Sequence, residues 1–128
     1  MIDKKKVLVV DDEPDILVYL AAVFEDMGYE TIPADGGVQA FALARSDKPD
    51  LITLDITMPD QSGVKTYWNF RSDPELKDIP IILITATVDS MQKFLSLLDG
   101  YPEPEGFLYK PIDTEELRKI TQALLTDL

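Results

Sequence analysis

Short unbroken apolar runs alternate with amphipathic stretches along the whole chain. Val7-Leu8-Val9-Val10 is a continuous β-branched and aliphatic run, the pattern of a strand buried on both faces. Pro14 then sits where a first helical turn tolerates proline. Ile16, Leu17, Leu20, Ala21 and Phe24 follow at helical spacing, and Gly28 supplies a stop. Residues 30–34 predict a second strand; Pro33 has no N–H to give to a ladder, which assigns that strand to a sheet edge. After the Asp35-Gly36-Gly37 turn, a helix is predicted over 38–45, with Ala40, Phe41 and Ala44 on one side. Residues 50–54 predict a third strand that delivers Asp55 at its carboxyl end. A loop over 57–63 follows, with Pro59, Asp60, Ser62 and Gly63 as turn residues. A helix is predicted over 64–71, closed by Asp73-Pro74, then a strand over 79–84 ending in Thr85. Residues 90–98 predict a helix, 100–106 a loop and 107–109 a short fifth strand ending at Lys110-Pro111. The last helix opens at Asp113 or Thr114, with Glu115 and Glu116 in its first turn, and buries Leu117, Ile120 and Leu124.

Five strands alternating with five helices predict an α/β fold, a parallel sheet covered on both faces. Right-handed connections and an edge position for the Pro33 strand select the doubly wound order 2-1-3-4-5. No internal repeat, low-complexity segment or linker interrupts the pattern, so one domain is expected to fill residues 1–128. That length suits a single core and is short for two.

Charge and composition narrow the chemistry. The chain carries 24 acidic and 12 basic residues, with no histidine and no cysteine. A disulfide framework, a thiolate nucleophile, a Ser-His-Asp triad and the usual zinc sites are all excluded. A net charge of −12 argues against binding nucleic acid or an anionic membrane, both of which need Lys and Arg to neutralise phosphate. It suits a hard divalent cation held by carboxylates. No stretch approaches the roughly 18 apolar residues of a membrane span. The basic start, Met1 to Lys6, leads into a strand-like run and acids, not into a signal-peptide core. A cytoplasmic domain is expected.

In an open parallel sheet the site lies beyond the carboxyl ends of the strands, where strand order reverses. There the first strand presents Asp11-Asp12 followed by Glu13, the third Asp55, the fourth Thr85 and the fifth Lys110. Each has an ordinary explanation: an Asp pair caps helices, an Asp ends strands, and Lys-Pro precedes many helices. Their placement on successive strand ends favours a site. Clustered carboxylates repel one another unless a proton or cation intervenes, and all-oxygen ligands select Mg²⁺, Mn²⁺ or Ca²⁺. Lys110 and Thr85 are suited to an oxyanion, one by charge and one by hydroxyl donation. Carboxylate, cation and lysine together suit phosphoryl transfer to a carboxylate.

These residues also carry a family resemblance. Val9-Val10-Asp11-Asp12-Glu13, the block from Pro49 through Leu54-Asp55-Ile56-Thr57-Met58-Pro59 to Gly63, Ile82-Leu83-Ile84-Thr85-Ala86, and Phe107-Leu108-Tyr109-Lys110-Pro111 resemble the receiver domain of bacterial two-component response regulators. The similarity spans nearly the whole chain, and the L-D-x-x-M-P-x-x-x-G block is specific by itself. The resemblance implies a flavodoxin-like fold and a phosphoryl group accepted on Asp55 from a sensor histidine kinase, a histidine phosphotransfer protein or a small donor such as acetyl phosphate. Mg²⁺, or Mn²⁺ in its place, would be ligated by Asp12, Asp55 and the backbone carbonyl of Thr57, with Asp11 acting mainly through water. Lys110 would contact the phosphoryl group and Thr85 would move to hydrogen-bond it. Phe107 occupies the aromatic switch position, which turns inward as the threonine moves. Lys110-Pro111 is expected to be cis. Signalling would be a population shift read out by the face of the fourth helix, fifth strand and fifth helix.

The segment between Thr85 and Lys110 departs from this pattern by a few extra residues. Residues 100–106, with Pro102 and Pro104, are read as a tolerated loop insertion beside the readout face, made negative by Glu103 and Glu105. Thr57 and Thr87, the two positions that tune phosphate lifetime in the family, offer no acid or amide to position water, so slow self-dephosphorylation is expected. Trp68 and Phe70 are read as packing residues.

Three other functions compete. A phosphohydrolase of the haloacid-dehalogenase type also uses Asp, Thr or Ser, Lys and Mg²⁺, but needs a second Asp where Thr57 stands, and a cap. An FMN-binding module needs a hydroxyl- and glycine-rich loop where Asp11 to Asp15 would repel phosphate. A phosphorylation-silent receiver would lack acceptor residues that are present here. The expected output partner, or a fused output domain, is not identified by the residues.

Overall fold

The computed structural model describes residues 4–57, 63–98 and 100–126. Strands β1 (Lys6–Val10), β2 (Glu30–Ala34), β3 (Leu51–Asp55), β4 (Ile81–Thr85) and β5 (Gly106–Tyr109) form one parallel sheet in the order β2-β1-β3-β4-β5. Helices α1 (Pro14–Asp26), α2 (Gly37–Asp47), α3 (Gly63–Ser72), α4 (Val88–Ser96) and α5 (Thr114–Leu125) alternate with them. β2 lies on the edge, as Pro33 predicts, with Pro33 in register with Val9. The unbroken apolar runs lie in the inner strands β1 and β4; the third inner strand, β3, carries Thr53 among its apolar residues, and both faces of all three are covered.

Strand alternation divides the core in two. Leu8, Val10, Ile52, Leu54, Ile81 and Leu83 meet Ala40 and Ala44 of α2, Tyr67 and Phe70 of α3, and Met91 and Phe94 of α4. Val7, Val9, Leu51, Ile82, Ile84 and Leu108 meet Leu20, Val23 and Phe24 of α1, and Leu117 and Leu125 of α5. Burying both faces leaves the strand ends as the place where polar side chains gather.

Several boundaries move from the sequence expectation. β4 begins at Ile81, with Ile79 and Pro80 ahead of it. α4 spans 88–96 where 90–98 is expected, because Thr87 is its N-cap and its hydroxyl accepts from the Ser90 amide at 3.0 Å. Gly63 opens α3, and the turn expected at Pro59, Asp60 and Ser62 lies outside the described residues.

The extra segment before β5 is not a loose insertion. Tyr101 stacks on Trp68 with ring centroids 5.9 Å apart, and the Tyr67 hydroxyl donates to the Pro102 carbonyl at 2.6 Å. Glu105 pairs with Arg71 at 2.8 Å and accepts from the Ile81 amide at 2.8 Å. Glu105 is therefore committed to the fold and adds little free negative charge to that edge. Phe70 is fully buried and stacks on Phe41, and Trp68 is half-buried, both as packing residues.

Gly63 lies against the residue that follows Asp55. A Cβ there would stand 2.7 Å from Ile56 Cα and 2.8 Å from Ile56 Cβ. Both are short contacts with atoms that cannot swing away. Gly63→Ala is expected to cost about 1–3 kcal/mol, the range for forcing an extra methyl into a packed site. Urea denaturation measures this; a midpoint equal to wild type would show that the helix start yields freely.

Candidate functional site

The site is built at the carboxyl ends of four strands. Asp11 directly follows β1, its amide donating to the Ala34 carbonyl at 3.0 Å. Its Oδ1 accepts the Glu13 amide at 2.9 Å, which turns the chain into α1. Asp55 ends β3, and its Oδ1 accepts from both the amide and the hydroxyl of Thr57, at 2.9 and 2.6 Å. These contacts leave the second oxygen of each carboxylate facing Lys110. Both Asp11 and Asp55 are only 1% exposed.

Lys110 follows β5, and its amide donates to the Thr85 carbonyl at 2.8 Å, tying the ends of β4 and β5 together. The Lys110–Pro111 bond is cis, as the resemblance implies. The Lys110 ammonium lies 3.2 Å from Asp11 Oδ2, 3.2 Å from Asp55 Oδ2 and 3.1 Å from Glu13 Oε1. It donates hydrogen bonds to Asp55 and Glu13. Toward Asp11 it is within ion-pair distance but off hydrogen-bond geometry, so Asp11 Oδ2 is buried without a hydrogen-bond partner.

Electrostatics follow from this crowding. Burial pushes the Asp11 carboxyl up to about 6, and the Asp55 charge pushes the same way, against the Glu13 amide and Lys110. For Lys110, burial works to discharge the ammonium. The hydrogen bond to Glu13 and the charges of Asp55 and Asp11 override it, so the lysine is held above its ordinary range and stays charged. One cation is shared among three carboxylates.

The structure brings together most of the residues expected from the sequence. Asp11, Asp12, Glu13 and Asp55 each place one carboxylate oxygen so that all four oxygens lie within 4.8 Å of one another. Thr57 touches Asp55 through its amide and hydroxyl. Thr85 is fully buried at the end of β4, and its hydroxyl makes a long 3.5 Å contact to the Thr87 carbonyl. Phe107 points outward on β5, 40% exposed. Met58 and Pro59 of the acceptor motif lie outside the described residues.

The sequence did not single out Glu13 as a site residue. Standing before Pro14 it reads as the start of a helix, yet at the N-cap position its side chain caps nothing. The available signal was a third acid directly after the Asp pair.

Comparison with known proteins agrees with this arrangement. The response regulator receiver domain profile matches residues 7–122. The polar-differentiation response regulator DivK of Brucella anthropi is 39% identical over 123 residues, covering 96% of this chain and 98% of DivK. The chemotaxis protein CheY4 of Vibrio cholerae superposes with a TM-score of 0.84 at 31% identity, over 96% of this chain and 100% of that one. The receiver domain of the sensor histidine kinase PA1611 of Pseudomonas aeruginosa, solved with a magnesium ion coordinated in its active site cleft, has the same fold, with a TM-score of 0.85 at 24% identity over 95% of this chain and 98% of that one. Other relatives are longer: the chain covers 48% of the transcriptional regulatory protein PhoP of Bacillus subtilis. Nothing in these matches supports the phosphohydrolase reading. From the strand ends to the profile match over residues 7–122, the chain belongs to the response regulator receiver domains of two-component systems.

Proposed function

We propose that residues 1–128 work as one phosphoacceptor domain and that Asp55 takes the phosphoryl group. The donor would be a phosphohistidine of a sensor kinase or phosphotransfer protein, or acetyl phosphate. The observation that carries this is the Lys110 ammonium, 3.2 Å from the carboxylates of both Asp55 and Asp11 at adjacent strand ends. An Asp55 oxygen attacks phosphorus and forms the new O–P bond. The P–N bond to imidazole, or the P–O bond to acetate, breaks, and its electron pair leaves with that group. Lys110 offsets the charge on the transferred oxygens. Thr85 then gives up its long contact to the Thr87 carbonyl and donates to a phosphoryl oxygen, and Phe107 turns inward to follow it. The new contacts bias α4, β5 and α5, the face a partner reads. Uptake and loss of phosphate are reactions of the chain's own carboxylate, not turnover of a released substrate.

The residues present suit a hard divalent cation. Asp11 Oδ2 is buried without a hydrogen-bond partner, and four carboxylate oxygens lie within 4.8 Å. Asp12, Asp55 and the Thr57 carbonyl, with Asp11 acting mainly through water, would hold Mg²⁺, or Mn²⁺ in its place. The PA1611 receiver with its magnesium ion supports this. The bound cation supplies charge neutralisation for the non-bridging phosphoryl oxygens.

The output lies in a partner or in a fused domain. The net charge of −12 disfavours direct DNA contact by this domain. Among the described residues no helix is long and apolar enough to cross a membrane, in keeping with a cytoplasmic site of action.

The test is intact mass after incubation with acetyl phosphate, with and without Mg²⁺. One phosphoryl adduct that requires the metal is expected; its absence with both acetyl phosphate and a phosphorylated kinase overturns the proposal.

Asp11 also sets a pH dependence. Its folded-state value of about 6 lies above the ordinary 3.8, so the folded chain binds the extra proton. Stability from this group is present at low pH and is lost as pH rises through about 6. A metal needs the deprotonated form, so its stabilisation grows over the same window. Thermal melts from about pH 5 to about pH 7 are expected to show Mg²⁺ raising the midpoint more at the higher pH. An equal rise at both ends contradicts this.

Phosphate loss is expected to be slow. The Thr87 hydroxyl is committed to capping α4 and that of Thr57 to Asp55, so neither positions water. Decay of the adduct after donor removal measures this, and loss within seconds contradicts it.

A further inference from the structure

Glu13 has a place in the site that the acceptor mechanism above does not use. It occupies the N-cap position of α1, where a side chain ordinarily accepts an amide from the first turn, and it accepts none. Its carboxylate turns instead to the mouth of the site and accepts from Lys110 at 3.1 Å. Unlike Asp11 and Asp55, each 1% exposed at the side chain, Glu13 is 58% exposed and stands on the solvent side of the lysine. Donor phosphate must approach from that side.

We propose that Glu13 is a positioning residue that parks Lys110 and slows phosphoryl acceptance. The proposal rests on Asp55 being the acceptor. Once a cation engages Asp11, Asp12 and Asp55, their negative charge is largely offset. Glu13 is then the carboxylate that still competes with the incoming phosphoryl oxygens for the ammonium. Transfer requires Lys110 to leave Glu13, and that exchange adds to the barrier. Because Glu13 is exposed, water screens the pair and the effect is moderate.

The test is the rate of phosphorylation by acetyl phosphate at saturating Mg²⁺, with Mg²⁺ affinity measured separately by calorimetry. Glu13→Gln is expected to be about two- to fivefold faster than wild type, the effect of one exposed charge pair. Glu13→Asp keeps the charge but shortens the side chain by about 1.5 Å, one C–C bond, so it reaches Lys110 poorly. It is expected to be faster as well. NMR relaxation of the Lys110 ammonium is expected to show more motion in both variants, a readout that a role in folding alone would not move.

A Gln variant no faster than wild type, with Mg²⁺ saturating and the thermal midpoint retained, overturns the proposal while leaving Asp55 as acceptor. A fast Gln variant beside an Asp variant at the wild-type rate also overturns it, since bulk charge rather than parking would then set the rate. Failure of wild type to take up phosphate from any donor overturns the acceptor reading, and this proposal with it.

Discussion

Asp55→Asn will take up no phosphoryl group from acetyl phosphate or from a phosphorylated kinase, while keeping its fold. An amide is a poor nucleophile at phosphorus, and a loss of more than about a hundredfold is expected from removing the attacking group. The geometry explains why the fold should survive. Asp55 Oδ1 accepts the Thr57 amide and hydroxyl, and an amide oxygen accepts both equally well. The new NH₂ would face Lys110 in place of Oδ2, now 3.2 Å away, and the lysine would keep Asp11 and Glu13 as partners. The lost ion pair is offset by relief of repulsion, because the Asp55 charge is one of the causes that raise Asp11. The net change in stability is expected to stay within about 1 kcal/mol. Intact mass and a urea titration on the same sample separate the two effects. An adduct persisting on the variant would move the acceptor to Asp11 or Asp12.

The part of the molecule legible in the sequence is the part where a single physical rule dominates. Val7 to Val10 and Ile81 to Ile84 are unbroken apolar runs, and only a sheet covered on both faces buries them. Pro33 cannot serve an inner strand, so the edge and the strand order follow. That order brings Asp11, Asp55 and Lys110 together, so the heart of the site was legible with the fold. What escaped was side-chain choice between alternatives of similar pattern. Thr87 reads equally as strand end, loop or cap, and the start of α4 moved with it. Glu13 reads as a helix start, and nothing local shows that its carboxylate turns to a lysine 97 positions away. Arg71 lies on an amphipathic helix where arginine ordinarily faces water, and its burial depends on residues 101–105, whose spacing carries no periodic signal.

Arg71→Met should therefore be the most destabilising surface-looking substitution in the chain. The Arg71 side chain is 1% exposed, and its guanidinium donates to five oxygens from three segments. Nε donates to the Tyr67 hydroxyl at 3.0 Å, and Nη1 to the carbonyls of Lys77 and Ile79 at 2.9 and 3.0 Å. Nη2 reaches Glu105 Oε1 at 2.8 Å and, more loosely, the Glu103 carbonyl at 3.4 Å. The guanidinium also lies over the Tyr67 ring, 5.0 Å from its centroid. Burial pushes the Tyr67 phenol above its ordinary range, so it stays protonated and donates onward to Pro102. Tyr67 in turn sets its ring edge-on to Phe94 of α4, 5.2 Å away. One arginine thus joins α3, the turn before β4 and the segment before β5.

Methionine keeps the stem's packing but removes all five donations; Glu105 keeps the Ile81 amide and the Tyr67 hydroxyl keeps Pro102. Breaking a buried ion pair from one side costs about 3–5 kcal/mol. Glu105 is 36% exposed and regains some water, which places the loss near the lower end, about 3 kcal/mol. For a domain of this size that lowers the thermal midpoint by roughly 10 °C. Glu105→Gln should cost less, since an amide oxygen still accepts from Arg71 and from the Ile81 amide. In the double variant the two losses should sum to more than is observed, because both remove the same contact. Additive losses in that cycle would show that the arginine acts through its contacts with Tyr67 and the carbonyls, not through Glu105. A midpoint within a degree or two of wild type for Arg71→Met would mean that the 101–105 segment is held by the Trp68–Tyr101 stack and Tyr67 without it.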